Sequence, residues 1–559
     1  MIAGHVRLRR SWRRTSIGCA VAAAVLLLSS CDGGDTADAQ ADTTLAPYDP
    51  PITLSIAYSY SDIVLPEGDM RDNHFLTRYL EAQTGVVVKY DWEAGGEEQY
   101  KSKLDLAIRS NDLPDAFIAN REQFLMLAER GMIEELTGYY EPYASELVKS
   151  IYDATGGKAL KEASVGGKLY AMPNVAIEAD APTYVWVRQD WLDKLKLTPP
   201  RTLDDIARIA RAFVEEDPDG NNKDDTISIP VDNQLVFGEK TGIYGLNGVF
   251  SAFHAYPKRW IRDASGSVVY GSIAPEAKQA LRLLAEWYKT NVLDPDFVLR
   301  KDITEVVADN RTGIVFGPWW APYWPLSQSV AKDTKAEWRV FAAPADANGT
   351  FVTNTSPVTD RFLVVRQGYP HPEAAIKVLN VLTRLERNVD PNAEEADKLR
   401  TTATQLGTQL RSYYPFDLLL DYPDAIEQRH DLLVRALSGE VDPQTLDPDS
   451  KTLYEEAMLE QEAPRKNMEA WSASQAHLLG GAVSKLPMVK KEGVFYGTTP
   501  AMDKSWTALQ QLEHDTYLQI ITGELPIDAF DGFVARWKAE GGDRITEEVA
   551  AAVDASDEK

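Results

Sequence analysis

The sequence predicts an α/β fold, because short apolar segments with strand periodicity alternate with segments of helical periodicity. The alternation begins at Ile52 and resumes after Pro173. Strands and helices at these intervals form βαβ units, which favour a mainly parallel sheet. The last ~200 residues are mostly helical by periodicity and by their content of Ala, Leu and Glu. The length of 559 residues suggests two or three domains.

The first alternating region contains three predicted strands and two predicted helices. Apolar residues alternate over 52–58 as in a strand, and residues 73–84 have helical spacing that ends at Gly85, a typical C-cap. A strand at 86–88, a helix at 100–110 and a short buried strand at 115–118 follow.

The second alternating region continues the same pattern. Thr202 and Asp205 form a capping pair that predicts the start of a helix. The other predicted strands are 184–187, 314–316 and 361–365, and the other predicted helices begin at Trp191 or span 275–289 and 372–385.

The N-terminus has the features of an export signal that ends in a lipoprotein cleavage box. Five arginines between positions 7 and 14 precede an apolar run over 17–28, and Leu28-Ser29-Ser30 stands directly before Cys31. The run is too short to span a bilayer. We therefore expect a signal peptide at 1–30, a lipid such as palmitate on Cys31, and localisation on the extracytoplasmic side of the cell membrane. The alternative is a secreted protein with a chance cysteine.

Composition limits the partners and the chemistry of the mature chain. The formal charge is −27, which argues against nucleic acid as a partner. The chain has two cysteines; Cys19 would be lost with the signal and Cys31 would carry lipid, so cysteine chemistry is excluded. The small, polar residues of 31–51 predict a flexible tether. We expect a monomer that touches the membrane through its lipid alone.

Several sequence strings occur in an order that resembles a known family. They are 186–195 (WVRQDWLDKL), 260–263 (WIRD), 269–273 (VYGSI), 292–297 (VLDPDF), 313–320 (GIVFGPWW), 495–500 (FYGTTP) and 520–523 (IITG). Together they resemble the large lipoproteins of extracellular solute-binding protein family 1, which serve ABC importers of oligosaccharides and include alginate-oligosaccharide-binding proteins. The resemblance covers about residues 52–550.

The resemblance implies two α/β lobes with a ligand cleft between them, crossed by hinge segments. It places residues 52–172 and about 352–400 in lobe 1, and residues 173–351 and about 401–550 in lobe 2, with a tail at 551–559. The crossings are expected near 170–173 and 343–352, and the helix-rich C-terminal region is expected to line part of the cleft.

The loop 217–226 (DPDGNNKDDT) has the oxygen spacing of a calcium-binding loop. Side-chain oxygens fall at loop positions one, three, five and nine, and a backbone carbonyl falls at position seven. The candidate ligands are Asp217, Asp219, Asn221, Lys223, Asp225 and Thr226. The alginate-binding relatives have Glu as a ligand where Thr226 stands, and a solvated acidic turn is the alternative. A bound calcium would be structural.

Aromatic side chains stack on the apolar faces of sugars, and carboxylates, amides and Arg bind their hydroxyls. The segment 319–324 (WWAPYW) follows a predicted strand and a Gly-Pro turn, so it should reach the crevice beside the sheet. The candidate ligand-binding residues are Trp319, Trp320, Tyr323, Trp324, Tyr60, Asp62, Arg121, Trp186, Arg188 and Trp260. For those outside 319–324, core packing is as plausible as ligand contact.

The sequence thus predicts a binding protein and not an enzyme: a lipid-anchored protein that captures an oligosaccharide and delivers it to an ABC permease. No nucleophile elbow, zinc-protease motif or P-loop is present in the sequence. A pair of carboxylates for glycoside hydrolysis cannot be recognised from sequence, so a secreted polysaccharide-degrading enzyme is one alternative. A peptide-binding importer lipoprotein and a structural surface lipoprotein are the others. The acidic composition favours a neutral saccharide, unless Arg121 or Arg188 lies in the cleft.

Overall fold

The computed structural model describes residues 46–60, 63–236, 242–300 and 302–557. The strands are β1 (Ile52–Tyr60), β2 (Val86–Gly95), β3 (Ala116–Asn120), β4 (Ser164–Val165), β5 (Lys168–Leu169), β6 (Met172–Pro173), β7 (Tyr184–Arg188), β8 (Trp260–Arg262), β9 (Val268–Tyr270), β10 (Ile314–Gly317), β11 (Trp338–Phe341), β12 (Val352–Asn354), β13 (Arg361–Val365) and β14 (Val489–Lys491).

The helices outnumber the strands and dominate the C-terminal third. They are α1 (Phe75–Thr84), α2 (Glu97–Ser110), α3 (Arg121–Glu129), α4 (Thr137–Tyr143), α5 (Glu146–Ala154), α6 (Lys158–Glu162), α7 (Gln189–Leu195), α8 (Leu203–Glu215), α9 (Asn247–Ser251), α10 (Pro275–Lys289), α11 (Thr304–Ala308), α12 (Ser327–Lys332), α13 (Glu373–Glu386), α14 (Ala393–Gln405), α15 (Ala425–Leu437), α16 (Pro448–Glu462), α17 (Met468–Gln475), α18 (Gly481–Ser484), α19 (Met502–Thr522), α20 (Ala529–Trp537) and α21 (Asp543–Asp557).

The first lobe is built on a five-stranded sheet in the order β2-β1-β3-β13-β6. β1 pairs in parallel with β2 and β3, whereas β13 runs antiparallel to β3 and β6. Its core combines buried residues from Leu54 to Val175 with others from Phe362 to Leu420. The chain therefore leaves this lobe after β6 and returns with β13. Since residues up to Leu420 belong to this core, the expected boundary near residue 400 lies before the point where the chain departs.

The second lobe has a three-stranded sheet in the order β10-β7-β11, in which both pairings are antiparallel. The expected parallel sheet therefore does not extend to this lobe. The main core of the lobe combines residues from Val185 to Ala343 with α19, α20 and α21. Helices α15 to α18 contribute residues to three smaller hydrophobic clusters. These clusters contain Trp186, Trp319 and Leu433, respectively. The C-terminal helices after Leu420 thus belong to this half of the protein.

The local sequence signals explain where the helices begin and end. Thr202 caps α8 and bonds reciprocally with Asp205, as the capping pair predicts. Gly85 ends α1 with φ of 68°. A Cβ at Gly85 would lie 2.4 Å from the backbone of Tyr48, so glycine also allows the N-terminal segment to lie across this turn.

The N-terminal segment at residues 46–50 is fastened to the first lobe. Tyr48 donates its hydroxyl to Glu373 Oε1 at 2.7 Å, and its backbone N–H donates to the carbonyl of Thr84 at 2.9 Å. Lys377 donates to the carbonyl of Ala46 at 2.7 Å and lies 4.3 Å from the centre of the Tyr48 ring. These contacts hold the start of the described chain against α1 and α13.

Within the described residues, none of the helices has both the length and the apolar character needed to cross a membrane. Cys31 and residues 31–45 of the expected tether lie outside the described residues. The signal peptide, the lipid and most of the tether therefore stay predictions.

Gly313 provides a test of packing in the second lobe. A Cβ there would lie 2.4 Å from Trp191 and 2.7 Å from Phe213, so both rings would have to shift. We expect Gly313→Ala to lower the free energy of unfolding by about 1–3 kcal/mol, measured by chemical denaturation. Gly138→Ala in α4 is the matched control, because a Cβ there meets no heavy atom within 4 Å. The control should be neutral or stabilising by up to about 1 kcal/mol. Equal stability of the two variants would contradict this packing.

Candidate ligand site between the lobes

Three stretches of chain run side by side where the polypeptide passes between the two cores. Ala176 donates its backbone N–H to Val358 at 2.9 Å, Val175 donates to Leu419 at 3.1 Å, and Glu178 donates to Pro423 at 2.8 Å. The first two stretches lie close to the expected crossings at 170–173 and 343–352. The third stretch, residues 419–423, is a crossing that the sequence does not predict.

Asn174 ties the first two stretches together through its side chain. Its Oδ1 accepts hydrogen bonds from Thr359 Oγ1 at 2.7 Å and from the backbone N–H groups of Asp360 and Arg361, each at 3.0 Å. Its Nδ2 donates to Asp360 Oδ1 at 2.7 Å. This amide fixes the register of two segments that are 185 residues apart in sequence.

A cavity of about 420 Å³ lies beside these crossings and is bounded by both lobes. The first lobe contributes the end of α5 and α6, and the second lobe contributes β14 and the segment after it. The lining residues are Ala154, Thr155, Lys158, Glu162, Ala176, Ile177, Glu178, Thr355, Ser356, Pro357, Val358, Pro423, Lys490, Glu492, Gly493 and Tyr496. The volume lies in the usual range for small-molecule sites, and a position between domains is typical of them.

Ion pairs surround this cavity. Lys158 of the first lobe lies 3.9 Å from Glu492 of the second, and Lys490 lies 2.8 Å from Glu178 of the first crossing. Glu162 pairs with Arg121, whose guanidinium also donates to the carbonyl of Thr359 at 2.8 Å. Arg121 thus lies just behind the cavity wall, and its charge is already balanced.

Tyr496 gives the cavity an aromatic wall. The ring is partly exposed, and burial raises the pKa of its hydroxyl above the ordinary value. Tyr496 lies in the string 495–500 that carries the family resemblance, but it was not selected as a site residue. Its place in that string is the only sequence signal that would have indicated it.

The aromatic segment 319–324 is divided between two surfaces. Trp319 is buried, donates its indole N–H to Asp180 Oδ1 at 2.8 Å, and packs edge-on to His477 at 5.2 Å. Trp320 is partly buried and packs on the cluster that contains Ile177, a residue of the cavity lining. This half of the segment therefore supports the wall of the cavity from behind.

The other half of the segment is open to solvent. Tyr323 and Trp324 are 42% and 40% exposed. Tyr323 lies 6.4 Å from His477, whereas the Trp324 ring packs edge-on to Tyr244 at 6.2 Å, beside a different cluster. The expected platform of four aromatic residues is therefore not one continuous surface, because the chain turns between Trp320 and Trp324.

Three of the other predicted ligand-binding residues lie in the core. Trp186 is fully buried and donates its indole N–H to the carbonyl of Pro318 at 3.0 Å. Arg188 is 2% exposed, donates to Asp190 Oδ1 at 2.8 Å and to Asn310 Oδ1 at 2.8 Å. Trp260 is buried against the rings of Tyr270, Trp506 and Trp537. Packing accounts for all three, and none presents an open face to a ligand in this structure.

The remaining predicted residues of this set cannot be placed in the same way. Tyr60 ends β1, where its backbone pairs with Gly95, and its side chain lies outside the described part of the structure, as does Asp62.

The loop 217–226 folds around its own polar side chains. Asn221 donates its side-chain amide to Asp219 at 2.7 Å and to Asp225 at 2.9 Å, and Lys194 donates to the carbonyls of Asp217 and Pro218. Asp217 Oδ1 and Thr226 Oγ1 are buried without a hydrogen-bond partner. Among the described residues, however, no three His, Cys, Asp or Glu side chains are grouped closely enough to hold a metal ion.

Two carboxyl groups near the aromatic segment are unusually weak acids. Burial raises the pKa of Asp180 to about 6, although the Trp319 hydrogen bond opposes the shift. Burial and the nearby charges of Glu469 and Asp449 raise the pKa of Glu456 to about 7. Relative to the unfolded chain, the ionised form of either carboxyl therefore destabilises the folded state near neutral pH.

The two lobes, the adjacent crossings and the cavity between them define the class of two-lobed proteins with a cavity between domains, an arrangement typical of ligand-binding proteins. The family model for bacterial extracellular solute-binding proteins matches residues 68–386, which is more than half of the chain. The chain belongs to this family, as the resemblance indicates.

Two named relatives illustrate the range of the family. The lipoprotein LipO of Bacillus subtilis is 24% identical over 314 residues, which are 56% of this chain and 56% of LipO. The fructooligosaccharide ABC transporter substrate-binding protein FusA of Streptococcus pneumoniae is 29% identical over 218 residues, which are 37% of this chain and 39% of FusA. The alignments thus span about half of these relatives or less. Both relatives are named for binding or anchoring, not for catalysis.

Solved structures confirm the predicted two-lobed α/β fold. An HMO-binding, ABC-transporter-associated solute-binding protein from Bifidobacterium longum infantis matches with a TM-score of 0.63 and 14% identity, covering 90% of this chain and 99% of that one. The alginate-binding protein AlgQ2, in a form without calcium ion, matches with a TM-score of 0.59 and 16% identity, covering 91% and 99%.

The raised pKa of Asp180 predicts that this carboxyl adds stability to the folded state as the pH falls from 7 to 5. The folded state takes up a proton near pH 6, whereas the unfolded chain does so near the ordinary value of 3.8. The cost of the buried charge is therefore present at pH 7 and declines as the pH falls through 6. Between pH 7 and pH 5, Asp180 should contribute about 1 kcal/mol of added stability.

Urea denaturation at the two pH values measures this contribution. Asp180→Asn keeps an acceptor for Trp319 but cannot titrate, so the gain between pH 7 and pH 5 should shrink by about 1 kcal/mol. Asp503→Asn on the exposed surface of α19 is the control and should behave as the wild type. A gain that is unchanged in Asp180→Asn would exclude the buried carboxyl as its source.

Proposed function

We propose that this protein is a lipid-anchored substrate-binding protein of an ABC importer, which captures an oligosaccharide between its lobes and delivers it intact to a membrane permease. The cavity at the crossings carries this proposal, because it combines walls from both lobes with an aromatic ring and several paired charged groups. The names of FusA and of the Bifidobacterium protein support a sugar as the ligand. The name of LipO supports a lipoprotein anchor.

Capture would work by closure of the lobes over the ligand. The Lys158–Glu492 contact joins α6 of the first lobe to the segment after β14 of the second, so opening the lobes would break it. A sugar that touches Tyr496 on one wall and α6 on the other makes its full set of contacts in the closed form alone. Such a ligand shifts the population toward closure by its difference in affinity for the two forms.

The alternatives predict different outcomes for the same ligand. A polysaccharide-degrading enzyme would cleave an oligosaccharide, whereas a binding protein returns it unchanged. A peptide-binding lipoprotein would need charged groups that remain available for peptide termini, but the lysines of the lining are already paired. Anchoring through Cys31, placement outside the cytoplasm, a monomeric state and a permease partner belong to the proposal.

An oligosaccharide panel tests the proposal directly. We expect a bound sugar to quench tryptophan emission and to reduce the radius of gyration in small-angle scattering. Tyr496→Ala should weaken binding by roughly tenfold, because an aromatic wall stacks on sugar C–H groups. Tyr288→Ala on α10 is the matched control, since this tyrosine lies outside the cavity lining and outside the candidate ligand-binding residues. The proposal fails if no oligosaccharide gives either signal, or if the recovered sugar has been cleaved.

The second part of the proposal is a structural calcium ion in the loop 217–226. Asp217, Asp219, Asn221, Asp225 and the carbonyl of Lys223 would hold it, and the orphaned oxygens of Asp217 and Thr226 support a cation there. The Asn221 amide joins the carboxylates of Asp219 and Asp225, a position that suits positive charge. AlgQ2 without calcium and a FusA EF-hand mutant are among the structural neighbours, which agrees with a calcium site in such proteins.

Calcium should therefore raise the thermal unfolding midpoint of chelator-treated protein. An ion at about 100 times its dissociation constant stabilises the folded state by about 2.7 kcal/mol. Asp219→Asn should weaken this response, whereas Asp397→Asn on the exposed side of α14 should keep it. If calcium leaves the midpoint of the wild type unchanged, the loop is an acidic turn without a bound ion.

A further inference from the structure

The charges at the cavity restrict the class of saccharide that it suits. The described lining residues include two cations, Lys158 and Lys490, and three carboxylates, Glu162, Glu178 and Glu492. Each of the two lysines lies within 4.0 Å of one of these carboxylates. Because Glu162 pairs with Arg121 just behind the wall, these charges balance, and neither lysine is without a carboxylate partner.

The arginines nearest the cavity are also held by protein groups. Arg121 pairs with Glu162 and donates to the carbonyl of Thr359. Arg259 is buried and donates to the carbonyl of Thr355 at 3.0 Å. Arg188, the other arginine considered for the cleft, lies in the core with Asp190 and Asn310. Arg121 and Arg188 therefore have carboxylate partners, and neither presents an unbalanced cationic group to an acidic sugar.

A saccharide carboxylate in this cavity would meet two costs. It would have to break an existing ion pair to gain a cation, and that exchange leaves a protein carboxylate beside the ligand without its partner. It would also lie near the carboxylates of Glu178 and Glu492, and like charges repel, although solvent weakens this repulsion because both side chains are largely exposed. Sugar hydroxyls meet neither cost, since they can bond to the same carboxylates and lysines without disrupting the pairs.

We infer that this cavity selects neutral oligosaccharides over oligosaccharides of uronic acids, because the ion pairs Lys158–Glu492 and Lys490–Glu178 occupy its cationic groups. The inference rests on the proposed function and adds the chemical class of its ligand. In this arrangement Glu178 and Glu492 are specificity-determining residues that act through the lysines they hold.

The test compares ligands that differ in charge alone. Oligouronates of several linkages are titrated into the full-length protein beside their carboxyl-reduced counterparts of the same linkage and length, with calorimetry as the readout. The wild type should bind the best reduced oligosaccharide about a hundredfold more tightly than its uronate counterpart. The difference in affinity between the two ligands should become smaller as the salt concentration is raised, because screening weakens the repulsion.

Two variants test whether the ion pairs cause the selection. Glu178→Gln and Glu492→Gln each remove the carboxylate that holds a lysine, and both side chains are largely exposed, which favours normal folding. Each variant should reduce the ratio of the affinities for the reduced sugar and the uronate by roughly tenfold. Glu547→Gln on α21 changes the net charge equally, at an exposed pair with Arg544 outside the cavity lining, and should leave this ratio as in the wild type.

Each outcome separates this inference from the proposed function. Uronates that bind as tightly as their reduced counterparts, or more tightly, would overturn the inference and leave the proposed function standing. A ratio of affinities that stays unchanged in both glutamine variants would overturn the role of the ion pairs. If neither class of oligosaccharide binds, the proposed function itself fails, and the inference fails with it.

Discussion

The hydrogen-bonded side chain of Asn174 is the interaction on which the rest of the site depends. A single amide accepts from Thr359, Asp360 and Arg361 and donates back to Asp360, so it joins the outgoing and returning chains at one point. Leaving the hydrogen bonds of a partly buried side-chain amide unmade costs free energy. With that junction fixed, the neighbouring residues 175–178 and 355–358 are held together as one wall of the cavity.

Local patterns in the sequence predict individual strands, helices and caps well in both lobes, and long-range packing decides the rest. The strand at 361–365, the helix at 275–289 and the caps at Thr202 and Gly85 appear where the sequence places them, because each depends on residues close in the chain. The antiparallel sheet of the second lobe follows from pairings between β7, β10 and β11 across more than 100 residues, which periodicity does not reveal. The packing of residues 403–420 in the first core is equally non-local.

The candidate site also combines features that the sequence predicts with features that depend on long-range packing. Composition and motif order indicate an aromatic, two-lobed binding protein, and the segment 319–324 does reach the region of the crossings through Trp319 and Trp320. Trp186, Arg188 and Trp260 have the side chains that sugar sites use, but these side chains also suit a core, and burial alone separates the two roles. Tyr496, Glu178 and Glu492 meet only through the fold, since they come from the first crossing and from a segment more than 300 residues later.

The contacts of Tyr48 and Lys377 would have a mechanical consequence under the proposed function, in which an N-terminal lipid anchors the protein to a membrane. A force exerted through the residues before Ala46 would be borne by the contacts of Ala46 and Tyr48 to Thr84, Glu373 and Lys377, which all belong to the first lobe. The first lobe would then stay fixed relative to the anchor. The second lobe, which carries Glu492 and Tyr496, would be the lobe that moves. Ligand binding and release would then place no load on the N-terminal segment.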